Sequence, residues 1–200
     1  MKKIFGVLLL SILFLTGCGN SLNTPTGAVE EYLKRYQNLD DQVIAQLDKV
    51  IDSDVSMNDE QKDDYRELMI NQYKNFSYKI VNETDSGDEA EVEVELEVLD
   101  YASSIGESRT YFKNHQDEFK SEDNTTDDQA SDDEVVGGVV GKSIDEISSF
   151  IDYKIKNMKT VTNKSKTTIT FYLNKIDNEW VVEDLSDNDI QKLHGLYEMQ

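Results

Sequence analysis

From residue 29 the apolar positions recur every three or four residues: Val29, Tyr32, Leu33, Tyr36 and Leu39, with Glu30, Glu31, Lys34 and Arg35 between them. That spacing lays one apolar stripe along a helix whose other side faces water. Thr24 before Pro25 reads as the N-cap, because proline at the first helical position gives up an N–H that has no intrahelical acceptor anyway. A second helix is expected from Asp40 or Asp41, with Val43, Leu47, Val50 and Ile51 on its buried side. The third opens on Asn58 with Gln61 three residues later, the spacing of a capping box, and carries Tyr65, Leu68, Met69, Tyr73 and Phe76.

After Phe76 the period falls from about 3.6 to 2, the change from a helical to a pleated surface. Residues 77–82 form a short candidate strand, Asp85-Ser86-Gly87-Asp88 is turn chemistry, and residues 90–98 alternate without a fault. There Val92, Val94, Leu96 and Val98 point one way and Glu91, Glu93, Glu95 and Glu97 the other. Residues 100–120 are weakly helical, with Tyr101, Ile105, Tyr111, Phe112 and Phe119 as apolar points. A stronger helix starts at Ser143, with Glu146 three residues on and Ile147, Phe150, Ile151, Ile155 and Met158 down one side. Alternation returns at 166–174, where Thr167, Ile169, Phe171 and Leu173 share a face. Asp177-Asn178 marks a hairpin turn into a strand bearing Trp180 and Val182. Ser186 and Asp189 pair as a cap for a last short helix with Ile190, Leu193 and Leu196, which Gly195 is able to end.

Ahead of all these elements, Lys2 and Lys3 precede an apolar run over residues 4–15, followed by Thr16, Gly17 and Cys18. A basic start, a short apolar stretch and small residues before a cut are the parts of a secretory leader, and this run is short for a membrane span. The chain's single cysteine stands just after the expected cut, between Gly17 and Cys18. The arrangement resembles the lipobox of bacterial lipoproteins, which implies a diacylglyceryl group on the Cys18 thiol and attachment to the membrane through the acyl chains of Cys18. Two chains suffice for stable anchoring. The expected location is the extracytoplasmic face of the cell membrane. Residues 1–17 are read as signal peptide and 18–23 as lipidated tether. Residues 24–200 are read as one domain with a mobile acidic insertion at about 121–142.

Charge excludes some partners. The full chain carries −21, and losing Lys2 and Lys3 with the leader leaves 18 bases against 41 acids. Such a field repels phosphate backbones, so nucleic acid is excluded as a partner. Much of the acid is concentrated: residues 121–134 hold seven carboxylates and no base, too polar to offset the entropy of ordering. Calcium coordination is not expected there, since a binding loop of the EF-hand type needs a glycine at its sharp turn and Asp123 to Glu134 has none. Asp52-Ser53-Asp54 fails in the same way, with Met57 at the glycine position. The four glutamates of residues 91–97 read as a solvated strand face, not a metal site. Residues 135–141 lack the ending of a phosphate loop.

Enzymatic chemistry finds little to use. His115 and His194 are the only histidines, the one cysteine is committed to lipid, and neither G-x-S-x-G nor H-E-x-x-H occurs. His194, beside Gly195, reads as a C-terminal turn residue favoured by the helix dipole. No catalytic, cofactor or metal residue is assigned, no cofactor is expected, and the chain is not read as an enzyme.

Helices first, then a hairpin, further helices and a closing hairpin with Lys175-x-Asp177-Asn178-x-Trp180-Val181-Val182-x-Asp184-Leu185 is an order with a likeness. Together with the leader and the segments 24–40 and 175–197, it resembles small lipoproteins of low-GC Gram-positive bacteria that carry a nuclear-transport-factor-2-like domain of unknown function. The resemblance implies an α+β fold: N-terminal helices on a curved antiparallel sheet, cone-like; residues 101–160, with the helical, acidic-loop insertion, depart from the short connections of that fold, and a short C-terminal helix follows. Its mouth would hold a small apolar ligand or side chains of an envelope protein, so the expected function is a binding or interaction module. Two alternatives accompany it. One is a metal-independent isomerase, cyclase or hydratase with an Asp/Tyr/His pocket in the cone; the other is an immunity or inhibitor lipoprotein that binds a basic peptide.

Overall fold

A computed structural model describes residues 21–119 and 148–197. Cys18, the signal-peptide cut, the acidic insertion at 121–142, the Ser143 cap with Glu146, and Ile147 all lie outside the described residues.

The helical periodicity of the first third becomes α1 (Pro25–Gln37), α2 (Asp41–Ser53) and α3 (Asp59–Asn75). Each begins where a side chain satisfies an N–H that the helix cannot: Thr24 accepts from Gly27, Asp40 from Gln42, and Asn58 from Gln61. At α3 the box is reciprocal, since the Asn58 N–H donates to Gln61 Oε1 at 2.9 Å. Gln61 is itself buried and donates to Asp152 Oδ1 at 2.6 Å, tying the start of α3 to α5 (Ser148–Met158). Val50 departs from expectation and is 67% exposed. Leu47 and Ile51 advance round α2 from Val43 in one sense, whereas a heptad step falls back by roughly 20° in the other, which carries Val50 off the buried arc.

β1 (Ser77–Asp85), β2 (Glu89–Leu99), β3 (Lys164–Ile176) and β4 (Glu179–Val182) form an open antiparallel sheet in the order β1-β2-β3-β4. The molecule is α+β, as expected. The β1–β2 turn has Gly87 at φ 98°, and the two-residue β3–β4 turn puts Asp177 and Asn178 at φ 52° and 67°, the left-handed pair that matches hairpin twist. β1 runs three residues past its expected end. Its register slips between Ile80 and Asn82, which brings Glu83 opposite the inward-facing Val92. There the Glu83 carboxylate accepts from the Thr26 N–H at 3.0 Å, neutralising the exposed amides at the start of α1.

One face of the sheet is filled. Val92, Val94, Leu96, Ile169, Phe171 and Leu173 pack against Val29 and Leu33 of α1, closed by Trp180 and by Leu193 of α6 (Asp187–Leu193). Burying each such side chain contributes about 1.5–3 kcal/mol. A second cluster joins α2, α3 and α5 around Tyr101, the first residue of α4 (Tyr101–Asn114). A third, of Phe112, Phe119 and Phe150, seals α4 to α5.

Candidate functional site

The inward positions of β3 change character along the strand. Ile169, Phe171 and Leu173 belong to the core, but Ser165 and Thr167 are polar and half-buried. Where the apolar filling stops, a groove of about 380 Å³ opens between the sheet, α4 and the end of α6. Ser165 and Thr167 form one wall, Ala102 and Gly106 of α4 another, and Lys192 and Tyr197 a third. Ala102 and Gly106 stand four residues apart and so share a helix face. A Cβ on Gly106 would meet nothing within 4 Å, so glycine leaves space here that packing does not demand.

The charges around this groove are held. Lys192 Nζ bonds Asp189 Oδ1 at 3.0 Å and lies 5.5 Å from the Tyr197 ring centre. Lys166 bonds Glu95 at 2.8 Å on the outer face; that hydrogen bond keeps the Glu95 carboxyl below its ordinary range and Lys166 above its own. Asp100 caps α4, its carboxylate accepting from Ser103 N–H at 3.1 Å and from Ser103 Oγ at 2.7 Å. The four-glutamate row divides in the same way. Glu95 and Glu97 lie beside Lys166 and Lys79, while Glu91 and Glu93 sit between Thr84, Asn82, Tyr172 and Thr170.

On the other side of the α4 N-terminus is a second groove, of about 490 Å³, between α4, α5 and the turn that follows. Tyr111 and Tyr153 meet at its wall with ring centres 5.0 Å apart, and His115 stacks on Tyr111 at 3.9 Å. Tyr111 Oη donates to Glu118 at 2.9 Å, which raises its pKa. Asn157 donates to the buried Ser108 Oγ at 3.0 Å.

Among the described residues, a hydrogen-bonded Tyr/His pair without a carboxylate lies outside both grooves. Tyr73 Oη and His194 Nε2 are 2.8 Å apart and part-buried, and the half-buried Tyr32 and Tyr36 join their hydroxyls at 3.3 Å. Burial raises the pKa of all three tyrosines. It pushes His194 the other way, down to about 4. A helix dipole favours only a charged imidazole, so His194 caps α6 as a neutral ring bonded to Tyr73, and the dipole reading is corrected. A base whose folded pKa lies below its unfolded value leaves the unfolded chain holding the extra proton between the two. Stability from this site is therefore complete above about pH 6.5 and falls as the pH drops towards 4. The thermal midpoint is expected to fall across this window, with a shallower slope in His194→Gln; parallel slopes would refute the assignment.

Sequence reasoning placed Thr167 on a strand over 166–174 and read residues 100–120 as weakly helical, but it left Ser165 outside the strand and nothing in it joined the two segments into a groove. The legible signal was the polar pair at the inward end of an otherwise apolar alternation. No family model matches this chain, and neither does any curated protein or solved structure.

Proposed function

We propose that this chain is an extracytoplasmic binding module held at the membrane by acyl groups on Cys18, its domain of the nuclear-transport-factor-2-like kind. One observation carries the binding role. Side chains of α1, α6 and every strand fill the inner face of the sheet, while two open grooves of 380 and 490 Å³ flank the α4 N-terminus. Enzymes that act on small molecules enclose them, positioning the reacting group against an acid or base at hydrogen-bond reach. Open grooves walled by hydroxyls, amides and already paired charges suit recognition better. The first groove sets Val98, Ala102 and the Tyr197 ring beside its hydroxyls, which suits a ligand or partner with both apolar and hydrogen-bonding groups.

The test is the native mass of the full-length protein, extracted gently from its own membranes, against its denatured mass. A native particle heavier by a non-covalent ligand or partner is expected; one no heavier than the lipidated chain would count against a binding role. Anchoring is tested separately. Cys18→Ala is expected to abolish lipid labelling and leave unprocessed precursor, and a labelled, mature-sized product from that variant would overturn it.

A further inference from the structure

Both hairpin turns lie at one end of the sheet. Asp85 stands opposite Ala90, Ala90 opposite Leu173, and Leu173 opposite Val182, so the β1–β2 and β3–β4 turns sit side by side. A bond from the Lys175 N–H to the Asp88 carbonyl at 2.8 Å joins them. The chain enters the fold at this same end. A single turn of 3-10 helix, Ser21–Asn23, lies against β4 and α1, with Leu22 packed on the core. The bond from Thr26 to Glu83 sets the start of α1 beside the last part of β1. The helix then runs away from the turns towards Phe76, whose carbonyl accepts from Gln37 Nε2 at 3.1 Å.

The grooves are at the opposite end. Val98 and its partner Ser165 line the first, and Asp100 and Ser103 line both. From Ala90, level with β4, to Val98 the strand rises about 26 Å. Phe119 and Ser148 belong to the helical cluster at this end, and the seven carboxylates of residues 121–134 are carried between them. Cys18, by contrast, stands three residues before Ser21, and three residues reach at most about 10 Å. An anchor at Cys18 therefore keeps the hairpin end close to lipid and leaves the rest of the body to pivot. Charge decides how it turns. With 18 bases against 41 acids after the leader, the chain is repelled by an anionic surface over about 8 Å at physiological salt. Lying down would press the glutamate row of β2 onto that surface. Standing up exposes only the hairpin end to it, with Asp85, Asp88, Glu89, Asp177 and Glu179 around Lys175 held there by the tether and not by attraction.

We propose that the domain stands on the membrane at its hairpin end and presents both grooves outward, so that they receive a water-borne partner and not a membrane lipid. Upright, the grooves are several screening lengths from the headgroups, beyond the reach of a lipid that stays in its bilayer. The inference rests on the anchored binding-module reading and adds to it the side from which the partner arrives.

The test uses the full-length protein, purified from its membranes and returned to vesicles of phosphatidylcholine and phosphatidylglycerol that carry an acceptor dye on a fraction of the headgroups. With Cys18 acylated the chain has no free thiol, so Ser86→Cys at the hairpin end and Ser103→Cys at the groove rim each offer one site for a donor dye. Both side chains are exposed, and neither substitution disturbs the core. Energy transfer is expected to place the Ser103 donor about 15 Å or more further from the headgroup plane than the Ser86 donor. Equal distances, or a Ser103 donor nearer the lipid, would overturn the proposal and leave the anchor standing. Transfer at neither site, with the protein left in solution when the vesicles are pelleted, would sink the anchor and this inference together. A phospholipid found in the native mass and lost in Gly106→Leu, which narrows the first groove, would also overturn it, because that groove would then take a lipid.

Discussion

Replacing Gly195 with alanine is expected to cost about 3 kcal/mol or more of folding stability, more than any loss of a surface charge in this protein. Two causes add. Gly195 holds φ at 70°, where a side chain costs about 1–2 kcal/mol. A Cβ there would also be driven into the Leu99 carbonyl and against Gln72 Nε2. A rotamer change cannot move a carbonyl, so the clash is relieved only by shifting the end of α6, and overpacking of this sort adds roughly 1–3 kcal/mol. Four elements converge at this point. The Ala102 N–H donates to the Gly195 carbonyl at 2.8 Å, and the Leu99 N–H donates to the buried Gln72 Oε1 at 2.9 Å. Moving α6 therefore disturbs α4, β2 and α3 together. Gly106→Ala is the matched control: its backbone is ordinary helix with open space around it, so alanine should stabilise by about 0.5–1 kcal/mol. Chemical denaturation of both variants gives the comparison, and a Gly195→Ala midpoint at or above that of the parent would refute the account.

That junction also shows how far the chain can be read without coordinates. Gly195 was legible as a helix terminator from its place after Ile190 and Leu193, but its packing was not, because Leu99 lies 96 residues away in sequence. Gln72 left a faint mark. It stands at helical spacing with Gln61, Tyr65 and Leu68, a polar residue on an apolar stripe, and such a residue needs a buried partner. Local signals did best. The caps at Thr24, Asn58 and Ser186, the Asp177-Asn178 turn and the alternation of β2 all depend on neighbours within a few residues, and each occurs where the pattern put it. What failed was set by tertiary geometry: the arc of α2 that exposes Val50, the bulge that turns Glu83 towards α1, and the burial that neutralises His194. Both grooves belong to this second class. They arise where α4 meets the sheet, α5 and α6, and no local pattern records the meeting.

Truncating Phe171 to alanine should destabilise by about 3–5 kcal/mol, whereas the same change at its neighbour Tyr172 should fall within about 0.5 kcal/mol. The pleat separates the two: Phe171 is fully buried, opposite Val92 and edge-on to Tyr32 at 5.7 Å, while Tyr172 faces outwards opposite Glu91 and is 53% exposed. The variant also tests the filling of the inner face directly. If α1 and the sheet leave no room between them, the parent protein takes up no benzene-sized apolar molecule there. Phe171→Ala should then acquire such a site, because a dry apolar cavity binds what its lost side chain resembled. Thermal shifts with benzene or indole would read the difference. Equal stabilisation of parent and variant would mean that the parent already holds an apolar cavity, and would return the case to a ligand carried inside the fold. Stabilisation of the variant alone would leave recognition to the two grooves beside α4.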